Sequence, residues 1–142
     1  MANVSVKKTI NAPPNEVWKT ISSFREIERY VPLITKSTVE GEGVGAKRTC
    51  IISGESGEGE IKEVIQSFDN DAKTLSYAIT SSPLPVENYL GTMKVNDLGN
   101  NTCEVEWSGS FEPKGMPEEE VVKMINDVYT MGLDGLKKLH QG

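Results

Sequence analysis

The chain has 142 residues, with 15 Lys and Arg, 21 Asp and Glu, and 37% hydrophobic residues. A chain of this length buries roughly 68% of its unfolded surface, which predicts a single domain over residues 1–142 with a core of its own. The net charge of −6 argues against nucleic acid as a partner, because phosphates are bound mainly by Lys and Arg, and against stable membrane association.

The rare residue types exclude further classes of site. The single His, His140, lies at the C-terminal end, so a His-dependent catalytic triad and a His-rich zinc site are not expected. We predict no metal and no cofactor. Cys50 and Cys103 are far apart and are interpreted as reduced, buried thiols. The N-terminus lacks the apolar run of a secretion signal, which predicts a cytoplasmic protein.

The first thirty residues predict one strand and two helical segments. Alternating apolar residues predict a strand over Asn3–Ile10. Pro14 is suited to the first turn of a helix whose apolar stripe comprises Val17, Trp18, Ile21 and Phe24. A second short helical segment is predicted over Arg25–Tyr30, and it ends before Pro32 because a residue preceding proline disfavours helical geometry.

Residues 34–111 predict six strands that follow one another as an antiparallel meander. Turn residues separate the strands, which are predicted at 34–40, 46–53, 60–68, 74–80, 86–96 and 102–111. The glycine-rich turn at residues 53–59 contains Glu55 and Glu58 and lacks a Lys-Ser or Lys-Thr ending, so a phosphate site is not expected there.

The segment after Met116 predicts a long C-terminal helix. It opens with Pro117 and three glutamates and ends near Lys137 and Lys138, so both charge clusters oppose the helix dipole. Apolar residues recur along it at helical spacing, which requires a large surface to pack against. The whole pattern is α+β, in the order β-α-α-β6-α, with a seven-stranded curved antiparallel sheet wrapped around the final helix.

Five segments, in this order, resemble the START-like, or helix-grip, superfamily. They are APPNEVWKTISSF with the following RYVP, then GVGAKRT, IKEVIQSFDNDAKTLSYAI, ENY, and the helix VVKMINDVYTMGLDGLKKL. This superfamily includes the birch-pollen allergen, the polyketide cyclase/dehydrase and lipid-transport group, and the plant abscisic-acid receptors. The resemblance implies a cavity between the sheet and the long helix that takes a hydrophobic or amphipathic small molecule.

The more distant similarity to the abscisic-acid receptors implies four polar positions in such a cavity. Lys36 matches a lysine that pairs with a ligand carboxylate, and Glu63, Tyr89 and Glu106 match polar lining positions. The receptors' lid motifs are replaced here, so a hormone-receptor role is not expected. Alternation along the last strand turns Glu106 outward instead, and both placements of this residue stay open.

Strand alternation and helical spacing supply further candidate lining residues. A ligand pocket is mainly apolar with a few directing polar groups, and the predicted inner faces have this character. With the four polar positions, the set adds Ile52, Ile61, Ile65, Tyr77, Ile79, Met93, Met124, Val128 and Gly132. The competing interpretations are a solvated strand lysine for Lys36, a surface glutamate for Glu63, and ordinary core packing for the tyrosines and apolar residues.

Three functions remain open from the sequence. The first is a non-catalytic carrier or sensor of a hydrophobic or amphipathic molecule, as a monomer or homodimer. The second is a cyclase or dehydratase, with Glu63 as general base, a tyrosine as acid and Lys36 as enolate stabiliser. The third is an accessory protein that binds another protein. We rank binding first, because it requires only the cavity.

Overall fold

The computed structural model of the chain describes residues 1–54 and 57–141. The glycine-rich turn predicted at 53–59 therefore falls partly outside the described residues. The elements are, in chain order, β1 Ala2–Ile10, α1 Pro14–Ser22, a 3-10 turn Ile27–Arg29, β2 Ile34–Glu40, β3 Lys47–Gly54, β4 Gly57–Asp69, β5 Thr74–Ser81, β6 Val86–Gly99, β7 Thr102–Pro113 and α2 Glu118–Gln141.

The strands described form one curved antiparallel sheet of seven strands, in the order β1-β7-β6-β5-β4-β3-β2. The predicted meander of six strands is confirmed. Strand β1 pairs with β7, so the first and last strands along the chain are neighbours in the sheet. Alternation decides which face is buried. In β7 the odd positions Cys103, Val105, Trp107, Gly109 and Phe111 are buried, and the even positions between them are only partly covered.

Helix α2 lies on the concave face of the sheet and contacts β1 and β7. Its buried side chains include Val121, Ile125, Tyr129, Leu133 and Leu136, which recur every three or four residues on one side. Glu118, Glu119 and Glu120 lie in its first turn, where negative charge is favourable. Neither described helix combines the length and the hydropathy that crossing a membrane requires.

The region before β2 differs in detail from the sequence prediction. The predicted helical segment Arg25–Tyr30 is a single 3-10 turn, because Phe24 and Glu26 have φ angles of 63° and 56°, which interrupt a right-handed helix. Phe24 is therefore not part of the α1 stripe, although it is buried. The bounds of β2 match the prediction, and the other strands differ by one to three residues at their ends.

Gly135 allows α2 to approach the backbone of the 3-10 segment closely. A Cβ at this position would lie 2.9 Å from the carbonyl carbon of Tyr30 and closer still to the Tyr30 oxygen. Since the obstacle is backbone, a rotamer change cannot relieve the overlap. Close contact between α2 and Tyr30 thus requires glycine here.

We expect Gly135→Ala to lower the free energy of unfolding by about 1–3 kcal/mol, although alanine favours helix formation. The matched control is Asn126→Ala, at an exposed position of the same helix, which should be neutral or slightly stabilising. Urea denaturation followed by circular dichroism measures both. A Gly135→Ala protein as stable as the wild type would contradict the close contact.

Candidate functional site

A small cavity lies between the concave face of the sheet and α2. Its volume is about 50 Å³. A water molecule occupies about 30 Å³ in the liquid, whereas small-molecule sites usually measure at least about 300 Å³. The cavity therefore has room for one or two groups of the size of a water molecule. Its lining consists of Ile27, Val31, Leu33, Ile34, Ile61, Glu63, Tyr77, Ile79, Leu84, Tyr89, Trp107, Ile125, Val128 and Tyr129.

Four aromatic side chains form a hydrogen-bonded cluster in the wall of the cavity. Trp107 Nε1 donates to Tyr77 Oη at 3.0 Å, and Tyr77 Oη lies 2.9 Å from Tyr89 Oη. Tyr89 Oη is in turn hydrogen-bonded to Tyr129 Oη. The rings of Trp107 and Tyr129 stack with their centroids 4.3 Å apart. The cluster joins β5, β6 and β7 to α2, so it holds the helix on the sheet.

Three glycines provide the space for this cluster. Tyr77, Gly91 and Gly109 are neighbours across β5, β6 and β7. A Cβ on Gly91 would overlap the Tyr77 ring, and a Cβ on Gly109 would overlap the Tyr129 hydroxyl. A Cβ on Gly132 would lie 2.5 Å from Trp107 Cζ3. The aromatic side chains thus fill the volume that these glycines leave.

A buried ion pair adjoins the cavity. Arg48 and Glu63 face each other on β3 and β4, and Arg48 Nε donates to Glu63 Oε1 at 2.7 Å. The two side chains are only 4% and 9% exposed. The guanidinium also lies over the Phe24 ring, 3.6 Å from its centroid. Glu63 lines the cavity, whereas Arg48 does not.

Burial and neighbouring charges shift the pKa values of the groups around this pair. Burial alone would lower the pKa of Arg48, but Glu63 raises it, so the guanidinium stays charged. Burial raises the pKa of the Cys50 thiol to about 12, and Glu63 adds to the effect. Burial likewise raises the pKa of Tyr30 to about 12, against the opposing influence of Arg48. Cys50 and Cys103 are free and buried, as the sequence predicts.

The phenols of the aromatic cluster are held in their neutral form. Burial is the main cause that raises the pKa of Tyr77 and Tyr89 well above the ordinary value of 10.0. Burial also raises the pKa of Tyr129. At neutral pH these hydroxyls are therefore hydrogen-bonding groups, and their high pKa values make them weak proton donors.

The structure brings about half of the predicted site residues together around the cavity. Those that line it are Ile61, Glu63, Tyr77, Ile79, Tyr89 and Val128. Two predicted polar positions lie elsewhere. Lys36 is exposed, because a β-bulge between Ile34 and Lys36 shifts the alternation of β2. Glu106 lies on the opposite face of the sheet, where Ser5 Oγ donates to its Oε2 at 3.0 Å, so alternation along β7 decides its placement.

The remaining predicted residues pack outside the cavity lining. Ile65 and Met93 are buried in the core, and Ile52 and Met124 are half-buried. Gly132, another candidate lining residue, does not line the cavity. The ring of Trp107 occupies the space beside it.

Arg48, Trp107 and Tyr129 were not among the predicted site residues. Arg48 lies two positions before Cys50, so alternation along the strand from a buried cysteine would have placed it on the inner face. Tyr129 lies on the apolar stripe of the C-terminal helix, and its hydroxyl is the only sign there of a polar contact. No group of three or more His, Cys, Asp or Glu side chains that could hold a metal occurs in the described ranges.

A sequence comparison identifies the family. A family model described as polyketide cyclase / dehydrase and lipid transport matches residues 1–141. The chain belongs to this family. Abscisic acid receptor PYL2 of Arabidopsis thaliana is 24% identical over 139 residues, which cover 92% of this chain and 73% of the receptor.

Solved structures from this fold share the architecture along nearly the whole chain. The protein XoxI from Bacillus cereus has 29% identity and a TM-score of 0.86, with 99% of this chain and 96% of XoxI covered. The Zhui aromatase/cyclase from Streptomyces sp. R1128 has 14% identity and a TM-score of 0.81, with 99% and 93% covered. The predicted helix-grip fold is confirmed.

We expect Arg48→Met to lower the free energy of unfolding by about 3–5 kcal/mol, because it leaves the Glu63 charge buried without a partner. The double variant Arg48→Met/Glu63→Met should lose less than Arg48→Met alone. In the exposed pair Lys123–Asp127, Lys123→Ala should change stability by less than about 1 kcal/mol. Urea denaturation measures all three, and a double variant that loses as much stability as Arg48→Met or more would contradict the pairing.

All four tyrosines are buried and have raised pKa values. An unfolded chain releases phenol protons near pH 10, whereas the folded chain retains them. The buried tyrosines therefore contribute to the free energy of unfolding below about pH 10, and this contribution is lost as the pH rises above it. We expect phenolate absorbance in an alkaline titration to appear together with unfolding detected by circular dichroism. Phenolate formation with a normal pKa in the folded protein would contradict the burial.

Proposed function

We propose that the chain binds one small apolar or amphipathic molecule in the cavity between the sheet and α2. The observation that carries the proposal is the arrangement of the lining. Half-buried apolar side chains and the hydrogen-bonding aromatic cluster line the cavity together with Glu63. A mostly apolar cavity with a few convergent polar groups is the usual form of a small-molecule site. The family's description, which includes lipid transport, supports the same function.

Ligand entry requires side chains to move, because the closed cavity measures only about 50 Å³. The half-buried residues Leu33, Ile79, Leu84 and Val128 line it from four different parts of the chain: the segment before β2, strand β5, the β5–β6 connection and α2. We call these four residues the mouth. Side chains that are half exposed in the closed form have room to rotate outward. We propose that binding opens the mouth and that the closed form is the empty state.

Binding without catalysis is the preferred form of this proposal. The cyclase hypothesis assigned roles to Glu63, a tyrosine and Lys36. Lys36 is exposed outside the cavity, and Glu63 is engaged by Arg48. An enolate stabiliser must touch the reacting atoms, which Lys36 does not do from this position. We further propose that the protein acts in the cytoplasm, without nucleic acid, as a monomer or homodimer.

The proposal predicts that a neutral environment-sensitive dye, N-phenyl-1-naphthylamine, binds with a rise in fluorescence. Val128→Trp, at the mouth, should weaken dye binding at least about tenfold, because the larger ring occupies the entrance. The matched control is Val122→Trp, at a half-buried valine of α2 that does not line the cavity. This variant should retain the affinity of the wild type.

The dye titrations are interpreted only for variants whose circular dichroism matches the wild type. Equal loss of affinity in both tryptophan variants would place the dye outside the cavity. A wild-type protein that does not bind the dye, and does not bind smaller amphipathic probes either, would overturn the proposal.

A further inference from the structure

We propose that the ligand carries a hydroxyl group at its polar end, as an apolar alcohol or phenol does, and that it is not a carboxylate. This inference rests on the proposed binding function and specifies the chemical class of the ligand. It replaces the carboxylate ligand that the match of Lys36 to the receptor lysine implied. The juxtaposition of the Glu63 carboxylate with the tyrosine cluster in one small cavity carries it.

Glu63 offers the cavity a hydrogen-bond acceptor. Arg48 Nε at 2.7 Å and Cys50 Sγ at 3.6 Å both donate to its Oε1. In the described part of the chain, no hydrogen bond reaches Oε2. A carboxylate oxygen accepts up to two hydrogen bonds, so Oε2 favours a ligand group that donates.

Glu63 also sets the charge that a ligand meets. Among the residues that line the cavity, it is the one with an acidic side chain. Arg48 does not line the cavity, and its guanidinium lies over the Phe24 ring. A ligand carboxylate would therefore lie nearer to the negative member of the pair than to the positive one, and the closer charge has the larger effect.

The aromatic cluster offers one donor. Tyr77, Tyr89 and Tyr129 contain three hydroxyl hydrogens, and the two bonds between their oxygens use two of them. Trp107 adds a donor that is already spent on Tyr77. One hydroxyl hydrogen is left for a ligand or a water. The lining of the cavity thus includes an acceptor on Glu63 and a single donor on the cluster.

A hydroxyl group complements this pair of groups. It donates one hydrogen bond and accepts another, whereas an ester only accepts and a carboxylate accepts while carrying negative charge. The cavity volume of about 50 Å³ matches one or two groups of the size of a hydroxyl. The apolar part of the ligand would extend toward the mouth.

Three probes with the same chain length test the inference at neutral pH: 1-octanol, methyl octanoate and octanoate. Each probe is titrated into the wild-type protein with N-phenyl-1-naphthylamine bound, and its affinity is measured from the displacement of the dye. We expect 1-octanol to bind at least about tenfold more tightly than octanoate and more tightly than methyl octanoate. Octanoate equal to or tighter than 1-octanol would overturn the inference, and so would methyl octanoate equal to 1-octanol. Both results leave the proposed binding function standing, whereas absence of binding by the dye and by every probe overturns that function.

The variant Glu63→Gln isolates the role of the carboxylate. It leaves the Arg48 charge uncompensated near the cavity, so octanoate should gain about tenfold relative to 1-octanol. The matched control is Glu106→Gln, the same change at a carboxylate on the outer face of the sheet, which should keep the wild-type preference. An unchanged preference in folded Glu63→Gln would overturn the inference. If circular dichroism shows that Glu63→Gln is unfolded, the ratios of the three probes on the wild type decide alone.

Discussion

The ion pair between Arg48 and Glu63 constrains the inner half of this fold. Two charges are removed from water on adjacent strands, and each is tolerable only while the other is present. The pair fixes which groups can face the cavity. The Arg48 guanidinium lies over the Phe24 ring, and Arg48 Nε donates to Glu63 Oε1. The polarity of the cavity follows from this arrangement of the strands, before any ligand is considered.

The aromatic cluster imposes a second constraint, on volume. Tyr77, Tyr89, Trp107 and Tyr129 satisfy one another's hydrogen bonds, so they are buried without unpaired polar atoms. Three of the same side chains, Tyr77, Trp107 and Tyr129, occupy the space beside Gly91, Gly109 and Gly132. The architecture therefore resembles that of ligand-binding relatives, while the empty interior is much smaller than the backbone alone would allow. Under the proposed function, binding depends on side-chain movement at the mouth rather than on a permanent chamber.

The fold could be predicted because its elements follow periodic patterns that depend on neighbouring residues along the chain. Every predicted strand is present, and α2 begins at the glutamates that favour a helix start. The site was predictable only where alternation is regular, as at Tyr77 and Ile79. Lys36 was misplaced because a β-bulge adds a residue that no local pattern reveals. Arg48 was missed because its buried position depends on Glu63, which lies on another strand.

The three glycines that adjoin the aromatic cluster affect how the volume of the cavity can change between related proteins. Gly91, Gly109 and Gly132 remove side-chain volume from the walls, and the aromatic rings return it. Shortening one ring would expose the hollow above its glycine without any change in the path of the backbone. The volume of the cavity in this architecture can therefore change by substitution of a single side chain. Proteins that share the same backbone can in this way bind ligands of different size.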